Sequence, residues 1–228
     1  MTIGLAILDM DGTLLSERSV DVFCEKLGVK ERLRELDKLS SSLPAYRIGE
    51  MIAKFFAGVA RRKLEALFDS IPLNPGAVDF VNFLRRSDFF VAVATDSYEF
   101  LAERLAKRIT IDAVYGNEVE IRDGILTGVL LTQQRCLEIE GCREYAVCKL
   151  WFMKQLRESV GGIAVAVGDG DSDFCMIKEA DIGIAYRPRS KSITTIANIV
   201  ASSFENIKPL LQQEIQDRAK RNPLSRQR

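Results

Sequence analysis

The first strand that the sequence predicts is a short apolar run that ends at two aspartates. Residues 3–8 (IGLAIL) are mostly branched aliphatics, which is typical of a strand buried on both faces of a parallel sheet. Asp9 and Asp11 follow directly, and Gly12 and Thr13 open a turn. Ligands bind beyond the carboxyl ends of parallel strands, so functional groups are expected here. On this stretch alone, a simple turn capped by aspartates is the other interpretation.

Two further buried strands are predicted to end in polar residues. The side chains after them carry hydroxyls or carboxylates: Thr95, Asp96 and Ser97 after residues 89–94 (FFVAVA), and Asp169 and Asp173 after residues 163–167 (IAVAV). Turn chemistry is a poor explanation for three such strand ends in one chain. The carboxyl ends of parallel strands meet at one edge of a sheet, and ligands bind there. The sequence therefore predicts a Rossmann-like α/β fold with one functional site at that edge.

The chain between the first two strands shows only helical periodicity. Its amphipathic patterns lie within residues 16–74, at residues 19–29, 30–43, 45–59 and 61–71. We expect an α/β core of residues 1–15 and 75–228 and an inserted all-helical unit of residues 16–74. Because this unit leaves the core directly beside Asp9 and Asp11, we expect it to cover the site and select the substrate.

Two local patterns lie further along the chain. Asp123-Gly124 stands between residues 118–122 and 125–130, which is a strong signal for a two-residue hairpin. Residues 145–160 have helical periodicity, and we expect that helix to carry Lys149.

Composition excludes several classes of function. The 228 residues include no histidine, which excludes Ser-His-Asp and Cys-His nucleophile systems, His-ligated zinc and imidazole bases. The formal net charge is zero with basic residues scattered, so nucleic acid is not expected as a partner. Neither a membrane span nor a signal peptide is expected, and five cysteines without a CxxC pair suggest reduced thiols in a cytoplasmic protein. Although Cys136, Cys142 and Cys148 are evenly spaced, this spacing favours structural or incidental thiols over a metal site.

The closely spaced carboxylates of Asp9 and Asp11 favour binding of a cation. Asp9 and Asp11 repel each other and raise each other's pKa unless a positive charge is present, and Mg²⁺ suits carboxylates that leave room for water and phosphate. The run Gly168 to Asp173 (GDGDSD) is not an EF-hand loop, because Phe174 stands where such a loop needs glycine. It is not a dinucleotide fingerprint either, because Asp173 stands at the third glycine position.

These motifs, in this order, resemble the haloacid dehalogenase-like superfamily of phosphohydrolases. The resemblance covers residues 3–186, and the subfamily it is most similar to is that of the phosphoserine phosphatases, which carry a helical cap after strand one. It implies that Asp9 attacks phosphorus to form an aspartyl phosphate, and that Asp11 protonates the leaving group and then activates water. The resemblance also implies a catalytic role for Lys149, which would screen Asp9 against the incoming phosphate. It implies the remaining site residues as well: Gly12, Thr95, Asp96, Ser97 and Lys149 for phosphate, and Asp9, Asp11 (through its carbonyl), Asp169 and Asp173 around Mg²⁺, with Asp173 supporting the metal shell or holding Lys149.

The substrate is expected to be a small phosphorylated metabolite such as phosphoserine. This chain departs from the subfamily in having Thr95-Asp96-Ser97 where the subfamily usually has Ser-Gly-Gly. Candidate substrate contacts of the helical unit are Glu17, Arg18 and Arg47. A phosphotransferase such as a sugar-phosphate mutase shares every motif, and a non-catalytic phosphate-binding module is the alternative from another class. The sequence does not indicate the oligomeric state.

Overall fold

A computed structural model describes residues 2–40, 42–131, 136–137 and 139–221. The strands of this part are β1 (Gly4–Leu8), β2 (Phe89–Tyr98), β3 (Ala113–Asn117), β4 (Val119–Arg122), β5 (Ile125–Leu130), β6 (Ile163–Gly168), β7 (Ile182–Tyr186) and β8 (Ile199–Ala201). The helices are α1 (Ser19–Lys26), α2 (Lys30–Leu39), α3 (Ala45–Phe55), α4 (Arg61–Asp69), α5 (Ala77–Arg86), α6 (Glu99–Arg108), α7 (Lys149–Val160), α8 (Phe174–Glu179), α9 (Lys191–Ile196) and α10 (Phe204–Arg221).

The core is the predicted α/β fold with a parallel sheet. Six strands pair in the order β3-β2-β1-β6-β7-β8, and all of these pairs are parallel. Every residue of β1 is buried: Leu5 and Ile7 pack towards α7, α8 and α9, whereas Ala6 and Leu8 pack towards α5, α6 and α10. Because β1 lies between β2 and β6, the three strand ends that carry the candidate residues are neighbours.

The segment between β1 and β2 is helical. The four helices α1 to α4 lie within residues 19–69, close to the predicted patterns, although α2 and α3 each end four residues earlier than their patterns. Aromatic rings join this segment to the sheet: the ring centroid of Phe56 lies 5.9 Å from that of Phe23 and 6.2 Å from that of Tyr98, which ends β2. The boundaries of a separate helical domain at residues 16 and 74 stay a prediction.

The Asp123-Gly124 hairpin is confirmed. Asp123 and Gly124 both have positive φ angles, 50° and 78°, as a two-residue hairpin turn requires, and β4 and β5 pair antiparallel. The hairpin lies outside the main sheet, and β5 contacts α3.

Two further element boundaries differ from the sequence prediction. We expected β2 to end at residue 94, but it continues to Tyr98 through a register irregularity, because Thr95, Asp96 and Ser97 stay extended. We expected a helix from residue 145, but α7 begins at Lys149, because the preceding Cys148 has an extended backbone. Among the described helices, we find none that is both long and apolar enough to span a membrane.

Candidate active site

A buried lysine joins the aspartates that follow β1 and β6. The ammonium of Lys149 lies 2.5 Å from Oδ1 of Asp9 and 2.6 Å from Oδ1 of Asp173. These three side chains are 1%, 5% and 0% exposed, so the ion pairs are shielded from solvent. Lys149 reaches both acids because it is the first residue of α7, at the edge of the sheet where β1 and β6 end.

Asp173 holds the loop that presents Asp169. Its Oδ2 accepts hydrogen bonds from the backbone N–H groups of Asp169 at 2.9 Å and Gly170 at 3.0 Å, while its Oδ1 accepts from Lys149. Both carboxylate oxygens of Asp173 are thus engaged by protein donors. Its geometry favours a role in positioning Asp169 and Lys149 over direct contact with a metal ion.

The cluster carries more negative than positive charge. One oxygen each of Asp9, Asp169 and Asp173 lies within 4.8 Å of the others, and Arg189 pairs with Asp169 through Nε at 2.6 Å. Burial, together with the Asp173 carboxylate, raises the pKa of Asp9 well above its usual range, and Lys149 opposes this rise. Burial also raises the pKa of Asp169, with Arg189 opposing it. When ionised, the three carboxylates outnumber the two cationic side chains, and the net negative charge that remains would be neutralised by a further cation.

Asp11 lies beside this cluster with one oxygen engaged and one free. Its Oδ2 accepts a hydrogen bond from the hydroxyl of Ser19 at 2.7 Å, and Ser19 lies 2.8 Å from the hydroxyl of Ser97. Its Oδ1 is buried and has no hydrogen-bond partner among the described residues. Burial raises the pKa of Asp11 to about 6, so this carboxyl group can both give and take a proton near neutral pH.

The turn after β1 is fixed from two sides. Gly12 has a φ of 82°, and a Cβ at this position would come within 2.1 Å of Oδ2 of Asp169, so only glycine lets the two loops approach this closely. On the other side, the amide of Asn74 donates to the carbonyls of Gly12, Thr13 and Leu15 at 3.2, 2.8 and 2.9 Å. These contacts hold the backbone that carries Asp9 and Asp11.

Thr95 and Asp96 extend the site from the end of β2. Thr95 is 1% exposed, and its hydroxyl accepts a hydrogen bond from the backbone N–H of Ser97 at 3.0 Å. Oδ1 of Asp96 is buried and lacks a hydrogen-bond partner in the described part of the chain. Burial raises the pKa of Asp96 to about 7, so a large fraction of this carboxyl group is protonated at neutral pH.

The raised pKa of Asp96 predicts how stability depends on pH. Because the unfolded carboxyl group titrates near 4, the folded protein binds more protons than the unfolded chain between about pH 4 and pH 7, and stability falls as the pH rises through this window. Asp96→Asn removes this loss, so the variant should exceed the wild type by roughly 1–4 kcal/mol at pH 8 and by little at pH 4. Urea unfolding at both pH values, with the exposed Asp79→Asn as control, measures the difference. Equal pH dependence of wild type and Asp96→Asn would contradict the prediction.

A cavity of about 380 Å³ opens from the aspartates towards the helical segment. On the core side, the cavity is lined by residues of the aspartate site, including Asp9 and Asp11. On the other side, it is lined by apolar residues of the helical segment, among them Val20, Phe23, Ile48, Ile52 and Phe56. Of the predicted contacts of the helical unit, Arg18 lines the cavity. Glu17 and Arg47 are not among the lining residues in the described part of the chain. Glu17 is exposed, and Arg47 pairs with Glu50 at 2.9 Å.

Several contributors were missed from the sequence. They are Ser19, which binds Asp11; Asn74, which holds the first turn; Arg189, which pairs with Asp169; and Arg143 and Tyr145, which line the cavity. Arg189 follows β7, so the rule that functional groups gather at strand ends could have found it. Arg143 lies in the irregular stretch before α7, where no periodicity indicates a position. Tyr145 lies in the same stretch, although periodicity predicts a helix from that residue.

Comparisons of sequence and fold relate this chain to known proteins. The sequence pattern of the haloacid dehalogenase-like hydrolases matches residues 6–178. The chain is 28% identical to the phosphoserine phosphatase of Idiomarina loihiensis over 82% of this chain and 83% of that protein, and 30% identical to that of Streptococcus thermophilus over 80% and 83%. A solved phospho-aspartyl intermediate analogue of phosphoserine phosphatase has a TM-score of 0.75 at 22% identity, covering 89% of this chain and 95% of that one. The chain therefore belongs to the haloacid dehalogenase-like hydrolases.

Proposed function

We propose that this protein is a Mg²⁺-dependent phosphatase that hydrolyses a small phosphomonoester through a phosphoaspartate at Asp9. The observation that carries the proposal is the contact of Lys149 with Asp9 at 2.5 Å, inside a buried cluster that borders an open cavity. The ammonium orients the Asp9 carboxylate and screens its charge, so that an anionic phosphate can approach it. The second oxygen of Asp9 is then the nucleophile.

Asp11 is the proton carrier of the proposed reaction. It lines the same cavity as Asp9, and the Ser19 hydroxyl fixes its orientation at 2.7 Å. In its protonated form it gives a proton to the leaving alkoxide, and as a carboxylate it takes a proton from the water that hydrolyses the phosphoaspartate. Because the chain has no histidine, a carboxyl group is the natural proton carrier. The pKa of Asp11, about 6, suits both donation and acceptance of a proton.

The residues present fit Mg²⁺. Hard oxygen ligands are what this ion prefers, and Asp9 and Asp169 offer carboxylates from two neighbouring loops. We assign Asp9, Asp169 and the backbone carbonyl of Asp11 to the ion, with Asp173 as a support through its bonds to the Asp169 loop. When bound, the ion supplies positive charge that stabilises the transferring phosphoryl group.

The cavity favours a substrate with a second anionic group. Its lining residues include three arginines, Arg18, Arg143 and Arg189, together with further aspartates and the apolar residues of the helical segment. Phosphoserine, the substrate in the names of the relatives, offers such a carboxylate. Phosphoryl transfer to a second hydroxyl is the alternative outcome, because the same groups would perform it.

Phosphate release tests the proposal. The purified protein should hydrolyse p-nitrophenyl phosphate and phosphoserine with Mg²⁺, and EDTA should abolish both activities. A panel of phosphorylated metabolites, with and without a carboxylate, then ranks substrates by kcat/KM. Phosphate binding without turnover would indicate the non-catalytic alternative, and transfer to an added alcohol without release would indicate a phosphotransferase.

Arg18 is predicted to contact the part of the substrate that lies beyond the phosphate group. Its side chain is 37% exposed, lines the cavity and pairs only weakly with Asp21, at 3.6 Å. A charge-assisted bond from Arg18 to a substrate carboxylate predicts that Arg18→Ala lowers kcat/KM about 10- to 100-fold for the best carboxylate-bearing substrate of the panel. Turnover of p-nitrophenyl phosphate should change little, because it has no such group.

Glu17→Ala provides the matched control for Arg18→Ala. Glu17 is the neighbouring charged residue, is exposed and does not occur among the described lining residues of the cavity. We expect near wild-type kcat/KM on both substrates. Parallel losses on both substrates in Arg18→Ala would mean that Arg18 supports the fold or the phosphate site instead of substrate selection.

A further inference from the structure

Four of the five cysteines converge at one place outside the aspartate site. The sulfur atoms of Cys136 and Cys142 lie 2.9 Å apart. The thiol of Cys136 also interacts with that of Cys148, and the thiol of Cys175 interacts with that of Cys142. The fifth cysteine, Cys24, is buried in α1.

Three separate segments deliver these thiols. Cys136 and Cys142 lie in the stretch before α7, Cys148 directly precedes α7, and Cys175 lies in α8. The turn before Cys142 is built on Gly141, which has a φ of 90°; a Cβ there would come within 2.8 Å of the ring of Phe174, the residue next to Cys175. The glycine therefore lets the turn lie close against α8 and brings the sulfurs together.

Backbone donors point at two of the sulfurs. The N–H of Glu144 donates to Sγ of Cys142 at 3.4 Å, and the N–H of Leu137 donates to Sγ of Cys148 at 3.5 Å. Such bonds stabilise the thiolate form, which is the form that ligates metals.

We propose that Cys136, Cys142, Cys148 and Cys175 form a structural zinc site. Four thiolates are a ligand set that zinc takes in closed, tetrahedral structural sites. With Zn–S bonds of about 2.3 Å, the sulfurs of such a site lie roughly 3.8 Å apart. Cys136 and Cys142 are closer than this, whereas no three of the described sulfurs lie within 4.8 Å of one another. Binding of the ion therefore adjusts the turn while keeping its position against α8.

A disulfide accounts for less of the arrangement. A bond between Cys136 and Cys142 would use the closest pair, yet it would leave the contacts of Cys148 and Cys175 with that pair unexplained. It would also give the N–H groups of Leu137 and Glu144 neutral sulfurs as acceptors. A metal ion would bind all four sulfurs as thiolates, and the two N–H groups would then donate to charged acceptors.

The zinc site would hold one wall of the substrate cavity. The stretch between Cys142 and Cys148 carries Arg143 and Tyr145, which line the cavity. The carbonyls of Arg143 and Glu144 accept hydrogen bonds from the backbone of Ala45 and Tyr46 at the start of α3, both at 2.9 Å. The ion thus ties this wall to α8 in the core.

The same site would also fix the start of α7. Cys148 directly precedes Lys149, the first residue of that helix. Its thiol accepts the N–H of Leu137, so the stretch before α7 is already anchored to the residue that positions the lysine. The ion would add a second anchor at Cys148.

Metal content of the full-length protein tests the proposal directly. Protein expressed with zinc in the medium and purified under reducing conditions should contain about one zinc ion per chain. Cobalt substitution of the wild type should produce the thiolate-to-cobalt charge-transfer band and the visible bands of tetrahedral Co²⁺. Zinc should be lost from Cys142→Ser and Cys175→Ser, and it should remain in Cys24→Ala and in Asp169→Asn.

Several results would contradict the zinc site. Wild-type protein without zinc and without a cobalt–thiolate band would overturn the proposal, even if the cysteine variants failed to fold. So would iron with visible absorption, or a Cys136–Cys142 disulfide in mass spectra of protein purified without reductant. Zinc that persists in the cysteine variants and disappears from Asp169→Asn would place the ion at the carboxylates instead.

Discussion

Replacing Asp9 with asparagine is expected to lower turnover of p-nitrophenyl phosphate on the order of 10⁴–10⁶-fold. The amide is not nucleophilic, and it offers a weaker ligand for the metal ion. Asparagine keeps the shape of the side chain, and its Oδ1 can still accept the hydrogen bond from Lys149 that Asp9 accepts at 2.5 Å. The fold should therefore survive while the chemistry is lost. Initial rates at saturating Mg²⁺, with circular dichroism spectra of both proteins, measure the two effects separately.

Asp79→Asn is the matched control for this experiment. Asp79 is an exposed aspartate in the first turn of α5, so its replacement makes the same chemical change away from the site. Its rate should equal that of the wild type. A rate for Asp9→Asn within about tenfold of the wild type would contradict a covalent role for Asp9.

Replacing Lys149 with methionine should cause the largest loss of stability. The substitution keeps much of the apolar stem but leaves Asp9 and Asp173 buried without their shared cation. Removing one partner of a buried ion pair typically costs about 3–5 kcal/mol. Saturating Mg²⁺ should recover part of this loss, because the ion supplies positive charge to the same carboxylates. Urea unfolding with and without Mg²⁺ measures both quantities.

The pH dependence of Lys149→Met has a predicted sign. Without the ammonium, the folded-state pKa of Asp9 should lie further above its unfolded value, since Lys149 opposes the rise. Stability should therefore fall as the pH rises through those values, so the deficit against the wild type should be smallest in acid.

Lys154→Met separates the buried contact from a general effect of removing a lysine from α7. Lys154 lies in the same helix, is 49% exposed and pairs with Glu179 at 3.9 Å. Surface pairs of this kind contribute about 0–1 kcal/mol, so the control should unfold almost like the wild type. If Lys149→Met lost no more stability than Lys154→Met, Lys149 would not be the shared partner of Asp9 and Asp173.

Much of the core was predictable because strand burial leaves a simple pattern. Residues 3–8 and 163–167 are apolar without interruption, since strands in the middle of a parallel sheet have helices on both faces. The order β2-β1-β6 then brings Asp9, Thr95 and Asp169 to one edge. Local composition and this single topological rule were sufficient to predict that these side chains lie together.

What was missed depends on contacts between segments far apart in the chain. Lys149 was expected inside a helix beginning at residue 145, but the preceding Cys148 has an extended backbone, and its thiol accepts the N–H of Leu137. Helical periodicity carries no information about such a contact. Arg189 reaches Asp169 across twenty residues of sequence, and the hydroxyl of Ser19 meets that of Ser97 across 78. Only the folded chain reveals these partners.

The same limit applies to the cysteines. The even spacing of Cys136, Cys142 and Cys148 lacks a CxxC pair, so it gave no reason to expect a metal. The fourth thiol, Cys175, arrives from α8 and is 27 residues beyond Cys148. The convergence is a product of the fold.

The covalent step at Asp9 is tested most directly by trapping it. The wild-type protein is mixed with substrate and Mg²⁺, quenched in acid within a single turnover, and reduced with borohydride, which converts a phosphorylated aspartate to homoserine. Homoserine is expected at position 9, identified by mass spectrometry of the peptide that contains residues 3–15, and none at Asp11. Homoserine at another aspartate, or turnover with no trapped residue at any quench time, would contradict the covalent step at Asp9.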